Sequence, residues 1–340
     1  MGFQIQFSFV ASTEEKIVLE GQAEGPIFNN KRWGVMSFLK QTYRPVHGWL
    51  ILDKPLGLTS TQALGRARKL VGGKKVGHGG TLDPLASGIL PLAFGEATKL
   101  IPYVMDGEKE YLFSVTWGQQ RTTDDAEGEV MATSDCRPTK KDIQLHVKDY
   151  VGEIEQVPPT FSALKVGGQR AYDLARAGKP LEMAPRRVRI DELELLGCPS
   201  ADQADFRVRC GKGTYVRSLA RDLALTLGTF GYVSALRRTK VGPFTLESAI
   251  SLDKLEELSH KGLAQTALLA IGSALDDIPG LTLTASEAQR LRSGQSLLVR
   301  PDQLSLLDAP VIMASCQGTP VALVQAKEGS FCVLRGFTFG

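Results

Sequence analysis

The stretch from Gly77 to Pro91, Gly-His-Gly-Gly-Thr-Leu-Asp-Pro-Leu-Ala-Ser-Gly-Ile-Leu-Pro, constrains the chain more than any other. It holds one carboxylate, Asp83, among glycines, a proline and small residues. Gly77, Gly79, Gly80 and Gly88 allow close backbone approach or positive φ, and Pro84 stiffens the residue after the acid. Two local readings stand side by side. Asp83 can be a helix N-cap with Pro84 at the first helical position, or the loop can hold a carboxylate still for chemistry. The residues after Pro84 do not continue as a helix: Gly88 and Pro91 break any period of 3.6, and Ser87–Gly95 reads as a short buried strand.

Around this loop the chain alternates strands and helices. Val46–Leu52 reads as a strand, Lys54–Gly57 as the turn closing it, and Ser60 as the N-cap of a helix to Val71 that Gly72 stops. A helix is expected over Glu96–Met105. Glu110–Trp117 puts Tyr111, Phe113, Val115 and Trp117 on one face of a strand, followed by a polar loop, Gly118–Gly128. Helices are expected at Asp142–Tyr150, Tyr172–Ala177 and Tyr215–Leu227, and strands at Arg186–Leu196, Asp205–Cys210 and Val233–Arg238. Two short helical stretches precede Pro279. Thr284-Ala285-Ser286-Glu287 is then a capping box opening a helix that ends at Gly294. Strand-like runs at Ser296–Val299, Pro310–Ala314, Thr319–Gln325 and Phe331–Phe339 complete a small α+β or barrel module.

Several classes of protein are excluded. With 340 residues, 43% hydrophobic and 23% charged, the chain has the composition of a globular protein of about two domains. Five scattered cysteines form neither a Cys-x-x-Cys pair nor an even framework, and four distant histidines show no metal-ligand spacing, so neither a metal nor disulfides are expected. They fit a reducing, cytoplasmic setting. No apolar run has the length of a membrane span, and the first residues lack a basic stretch followed by an apolar one, so no signal peptide is expected. Gly72 to Gly77 is followed by His78, so there is no P-loop and no nucleotide cofactor is expected. The net charge of +3 is unevenly placed: Arg207–Lys240 carries eight Lys/Arg against Asp222 alone, and Arg66, Arg68, Lys69, Lys74 and Lys75 form a second basic run. Such runs fit a solvated face or a polyanion partner.

Gly79-Gly80-Thr81-Leu82-Asp83-Pro84-Leu85-Ala86-Ser87-Gly88 resembles the active-site motif of the TruB family, the synthases that make pseudouridine at position 55 in the T loop of tRNA. Lys54-Pro55-Leu56-Gly57-Leu58-Thr59-Ser60 resembles an upstream family motif, Lys109-Glu110-Tyr111 its tyrosine segment, and Lys212-Gly213-Thr214-Tyr215-Val216-Arg217 its arginine segment. The four occur in the family's order between about Val46 and Gly242. Arg121-Thr122 departs from a common Thr-Asp pair, and Phe161 stands where tyrosine also occurs.

The resemblance implies an α+β fold: a pseudouridine-synthase catalytic domain with a mixed, largely antiparallel sheet flanked by helices, over residues 36–278, and a small C-terminal PUA-like β-rich RNA-binding domain over residues 279–340. Residues 1–35 fall outside it, and both a disordered extension and an over-read start remain open. It implies Asp83, Tyr111 and Arg217 as catalytic residues, with Arg217 paired to Asp83 and Tyr111 against the target uracil as a stacking platform or as the acceptor of the C5 proton, although periodicity alone makes Tyr111 a core residue. Tyr215 and Leu236 would line the uracil pocket, His78 would help hold the T loop, and Lys54 and Pro55 would buttress the active-site loop. The expected partner is the tRNA T stem-loop. No cofactor, membrane or protein partner is required, and a monomer is expected. One carboxylate can attack covalently or remove a ribose proton, and the residues do not choose between these. A glycosidase would need a second carboxylate, which no sequence feature near Asp83 marks out; a non-catalytic RNA-binding protein would explain the basic runs but not the constrained Asp83.

Overall fold

In the computed structural model the described residues are 45–340, except 163, 167, 172–173, 175–182, 276–277 and 340. The expected N-terminal extension, residues 1–35, and most of the helix expected at Tyr172–Ala177 lie outside them. Among the described residues the chain runs β1 (Gly48–Lys54), α1 (Ser60–Val71), β2 (Val76–His78), β3 (Ala86–Phe94), α2 (Ile101–Asp106), β4 (Lys109–Trp117), β5 (Gln119–Arg121), β6 (Val130–Thr133) and α3 (Lys140–His146). It continues through β7 (Gly152–Gln156), β8 (Lys165–Val166), β9 (Gln169–Arg170), β10 (Arg186–Ser200), β11 (Gln203–Cys210), α4 (Val216–Thr226), β12 (Gly231–Val241), β13 (Phe244–Thr245), β14 (Ile250–Ser251) and α5 (Leu252–His260). The last part is β15 (Gly280–Thr282), α6 (Ala285–Arg292), β16 (Leu297–Leu298), β17 (Ile312–Cys316), β18 (Thr319–Lys327) and β19 (Ser330–Gly336).

The large sheet has the order β14-β1-β3-β12-β4-β11-β10-β7, with β2 beside β3 and β13 beside β12. Its pairs are antiparallel except β1 with β14 and β12 with β3. A second sheet, β15-β17-β18-β19-β16, holds the C-terminal strands. The fold is thus α+β, with a mixed, largely antiparallel sheet and a β-rich C-terminal part, as the resemblance implies.

The apolar character of β1 and β3 follows from burial on both faces. Side chains alternate across a strand. Leu50, Leu52, Leu90 and Leu92 therefore join the core beneath α1, α4 and α5, while Trp49, Ile51, Ile89 and Ala93 join one on the opposite face. That opposite core also contains Val311, Met313, Leu323 and Phe337, so the second sheet closes the back of the first. The Glu96 carboxylate fastens the end of the chain, accepting from the Thr338 backbone N–H at 2.8 Å, and Lys99 Nζ donates to the Gly336 carbonyl at 2.7 Å.

Some expectations are corrected in detail. Thr59, not Ser60, is the N-cap of α1, completing a capping box with Gln62. Ser60 is buried and its hydroxyl turns to the Leu82 backbone instead. The helix expected over Glu96–Met105 is a 3-10 turn, Gly95–Leu100, followed by the short α2, with Pro102 in its first turn, where the missing N–H is tolerated. Part of the polar loop after β4 pairs as β5 with β6, and β15, with no sequence signal of its own, joins β17 in parallel.

Gly88, paired with Arg238, has φ 99°, and a Cβ there would lie 2.1 Å from the Arg238 carbonyl oxygen. Gly88→Ala is expected to cost about 2–4 kcal/mol in denaturant unfolding. At Glu96, burial pushes the carboxyl up, but the Lys99 ammonium and the Thr338 N–H outweigh it and hold it below its ordinary 4.5. A depressed carboxyl stabilises the fold fully above about pH 4.5 and loses that contribution as pH falls through its folded value. Thermal unfolding followed below pH 5 is expected to show a shallower acid dependence for Glu96→Gln than for the unaltered chain.

Candidate active site

The register of β3 places the Asp83 loop. The start of β3 lies between β1 and β12, with Leu236 opposite Ala86 and Arg238 opposite Gly88, so the preceding loop crosses the sheet where β12 arrives. The loop is pinned on several sides. Gly79 N–H donates to the Pro91 carbonyl at 2.8 Å, the Ser60 hydroxyl bridges the Leu82 N–H and carbonyl, and Gly57 N–H donates to the Pro84 carbonyl at 2.8 Å. Arg238 donates from beneath to the carbonyls of Gly80, Thr81 and Ile89. No helix follows Asp83: its carbonyl accepts from Ala86 N–H and β3 begins, which removes the N-cap reading.

Arg217, in the first turn of α4, reaches Asp83 with Nη2–Oδ2 at 3.0 Å. Its side chain is 5% exposed and that of Asp83 38%, so the pair runs from the interior to the surface of the cavity. The rest of the guanidinium is occupied by Asp125 Oδ2 at 3.5 Å and the carbonyls of Thr123 at 2.8 Å and Phe161 at 2.9 Å. One turn on, Arg221 pairs with Asp124 at 2.9 Å and with Asp222. Burial pushes the Asp124 carboxyl up despite Arg221.

Asp83, Tyr111, Tyr215, Arg217 and Leu236 line one cavity of about 570 Å³. Tyr111 is half-buried, packing on the core and facing the cavity, so periodicity and resemblance each describe one side of it. Burial pushes its phenol and that of Tyr215 above the ordinary tyrosine value. Lys109, Arg186, Arg187 and Lys212 add positive charge to the lining. Its other carboxylate, Asp106, pairs with Lys212 at 2.9 Å. A second groove of about 570 Å³, lined by Leu56, Pro84, Leu112 and Leu236 among others, contains neither Asp83 nor Arg217.

Three of the expected residues stand away from this lining. Lys54 is fully buried behind the loop, where its Nζ donates to the carbonyls of Pro55 at 2.9 Å and Leu58 at 2.7 Å, shaping the turn whose Gly57 holds Pro84. Burial lowers its pKa to about 8, against the pull of the Asp83 carboxylate. Pro55 is exposed. His78 is half-buried on β2, its imidazole pushed down by burial and by the Arg238 charge.

Sequence reasoning missed two residues. Asp125 was plain polar loop text, yet it is buried against Arg217, with Glu127 N–H donating to it at 3.0 Å. Arg238 stood only in a basic run, although alternation in β12 puts it on the face of Leu236. Arg121, at the departure from the family pattern, donates to the Ala126 and Gly128 carbonyls and lies over the Tyr232 ring at 4.3 Å, so it ties the loop together.

Two family models match the chain consecutively: the TruB family pseudouridylate synthase N-terminal domain over residues 68–216 and the tRNA pseudouridylate synthase B C-terminal domain over residues 217–277. The chain is 51% identical over 308 residues to a tRNA pseudouridine synthase B of Bradyrhizobium diazoefficiens, covering 88% of each. It is 51% identical over 295 residues to one of Rhodospirillum rubrum, covering 85% of this chain and 96% of that one. Among solved structures it is similar to a chain of a Cbf5-Nop10-Gar1 complex, with TM-score 0.65, 25% identity and coverage of 85% and 84%. A chain of an archaeal box H/ACA sRNP Nop10-Cbf5 complex also has TM-score 0.65, at 22% identity, with coverage of 86% and 87%. Fold and relatives together define a pseudouridine synthase. Within that class, the chain belongs to the TruB family of pseudouridylate synthases.

Removing one partner of a buried ion pair leaves the other uncompensated. Asp125→Ala is therefore expected to destabilise the fold by about 3 kcal/mol in denaturant titration and to raise hydrogen exchange in residues 121–128.

Proposed function

We propose that this chain isomerises uridine to pseudouridine in tRNA, at position 55 of the T loop, with Asp83 as the catalytic residue. The reaction breaks the N-glycosidic bond, turns the uracil and rejoins it to the ribose through C5, so it needs no redox step and no group donor. The observation that carries the reading is the Asp83–Arg217 pair at 3.0 Å on a basic cavity. A carboxylate that acts beside a polyanion gains from a fixed cation in contact, and the buried guanidinium supplies one. A base handled chemically leaves the stack and is held by aromatic or apolar side chains. Tyr111, Tyr215 and Leu236 supply them on the cavity wall. Arg186, Arg187 and Lys212 suit the phosphates around the extruded nucleotide.

A two-carboxylate glycosidase fits less well. Asp125 lies behind Arg217 with its side chain 3% exposed, and Asp106 is engaged by Lys212. We assign His78 to holding the T loop, Lys54 and Pro55 to supporting the Asp83 loop, and residues 279–340 to affinity for full-length tRNA. Because the C-terminal sheet shares a core with the catalytic sheet, its contribution is better tested by exposed substitutions than by deletion.

Asp83→Asn keeps the shape of the side chain and loses its charge. Pseudouridine formation on an unmodified T stem-loop, read by carbodiimide labelling, is expected to fall by at least roughly 1,000-fold. Binding should stay near that of the unaltered chain and weaken with salt, as phosphate contacts release counterions. Turnover within tenfold of the unaltered chain would refute the assignment of Asp83.

A further inference from the structure

Among the described residues, seven buried side-chain nitrogen or oxygen atoms have no hydrogen-bond partner, and one of these residues, Ser162, belongs to the lining of the Asp83 cavity. Ser162 is 3% exposed. A buried hydroxyl left unbonded is costly, so its place on a cavity wall calls for a partner that arrives with the ligand. Burial raises the neighbouring Tyr215 phenol and Ser162 opposes that rise, yet no hydrogen bond closes on the serine hydroxyl.

The segment that carries Ser162 is fastened to the first turns of α4. Tyr215 N–H donates to Gln156 Oε1 at 2.8 Å, and the Ser218 hydroxyl and Arg221 Nη2 donate to the Val157 carbonyl at 2.7 and 2.9 Å. Arg217 Nη2 donates to the Phe161 carbonyl at 2.9 Å. That nitrogen is also the one that meets Asp83 at 3.0 Å, so the residue before Ser162 and the carboxylate share one donor group. The start of α4 lies on the same wall: Val216 and Arg217 line the cavity, no side chain caps the helix, and its first turn holds no acid. The leading N–H groups of a helix have no intrahelical acceptor and favour negative charge. A neutral hydroxyl and a helix N-terminus together suit an oxygen that begins as an acceptor and gains charge during reaction.

A phosphate oxygen fits this wall less well than a base oxygen. The Asp83 carboxylate is tied to the same guanidinium and repels a second anion, Leu164 and Tyr215 add apolar surface, and Arg186, Arg187 and Lys212 offer phosphates full charges elsewhere on the lining.

On the reading that this site isomerises uridine, we propose that the Ser162 hydroxyl and the N-terminus of α4 receive a carbonyl oxygen of the target uracil and stabilise the negative charge of the released base. When the N1–C1′ bond breaks, its electron pair leaves with the base. This holds whether Asp83 forms a bond to C1′ or removes a ribose proton so that a C1′=C2′ double bond forms. The charge on N1 is shared with the oxygens at C2 and C4. Ser162 donates a hydrogen bond to one of them and keeps its proton. Formation of the C5–C1′ bond uses an electron pair of the base and returns it to neutrality, while Asp83 leaves C1′ or gives its proton back to the ribose. A net shift of the C5 proton to N1 completes the product.

The test has two readouts on the full chain. In single-turnover reaction with an unmodified T stem-loop, Ser162→Ala is expected to slow pseudouridine formation by about 100-fold, with binding close to that of the unaltered chain. Ser162→Cys, a weaker donor of similar size, should fall in between. For the second readout, Asp83→Asn protein is mixed with stem-loops carrying a heavy oxygen isotope at C2 or C4 of the target uracil, and infrared difference spectra are taken. One carbonyl band is expected at lower frequency in the complex than in free RNA, and adding Ser162→Ala should abolish that displacement. If Ser162→Ala does not fold, Ser162→Cys carries both readouts, with smaller losses expected. A slower reaction with unchanged carbonyl bands would mean that Ser162 only supports the segment after β7, and a lost displacement without a slower reaction would mean that the contact does not stabilise the released base; either overturns the proposal. Weaker binding with a smaller salt slope and an intact chemical step would mark a phosphate contact and overturn it as well. Absence of pseudouridine from the unaltered protein would instead defeat the underlying reading.

Discussion

The Arg217 guanidinium is the point on which the site depends. Buried to 5% exposure, it cannot be satisfied by water, and its donors are met by Asp83, Asp125 and the carbonyls of Thr123 and Phe161. Four separate parts of the chain converge there: the Asp83 loop, the turn after β5, the segment after β7, and α4 itself. A guanidinium presents its donors in a rigid planar fork, so these segments adopt one mutual arrangement or leave a buried cation partly unpaired. The position of Asp83 is thereby coupled to residues more than a hundred positions away in sequence.

The cavity contains two buried arginines in opposite electrostatic situations. Arg217 is compensated by carboxylates, whereas Arg238 is held by carbonyls. With the lysines and arginines of the lining, the surplus of positive charge matches a polyanionic substrate.

The large sheet holds this arrangement because both of its faces are covered. Helices α1, α4 and α5 close one side, and the 3-10 turn, α2 and the second sheet close the other. The second sheet is therefore part of what keeps β1 and β3 in place, whatever it contributes to RNA binding. Glu96 and Lys99 secure the last strand's end to the element just before α2, whose Met105 and Asp106 line the cavity.

Much of this was legible in the residues, for local reasons. Alternation in Glu110–Trp117 reports a strand with one face on the core, and the capping box at Thr284 opens α6 where expected. The glycines and Pro84 announce a loop that holds Asp83, because backbone at positive φ or in close contact excludes side chains. Gly88 bears this out, with no room for a Cβ. Pairing distant charges was legible for Arg217 only through resemblance, and for Asp125 and Arg238 not at all. A carboxylate in a polar loop and an arginine in a basic run look solvated until the register of β12 on β3 and the approach of α4 bury them. Composition and periodicity depend on neighbours in the chain, and so determined the elements and the loop. Which charges end up out of water, and which of them lack a partner, depends on segments brought together by packing, and only the tertiary structure decided it.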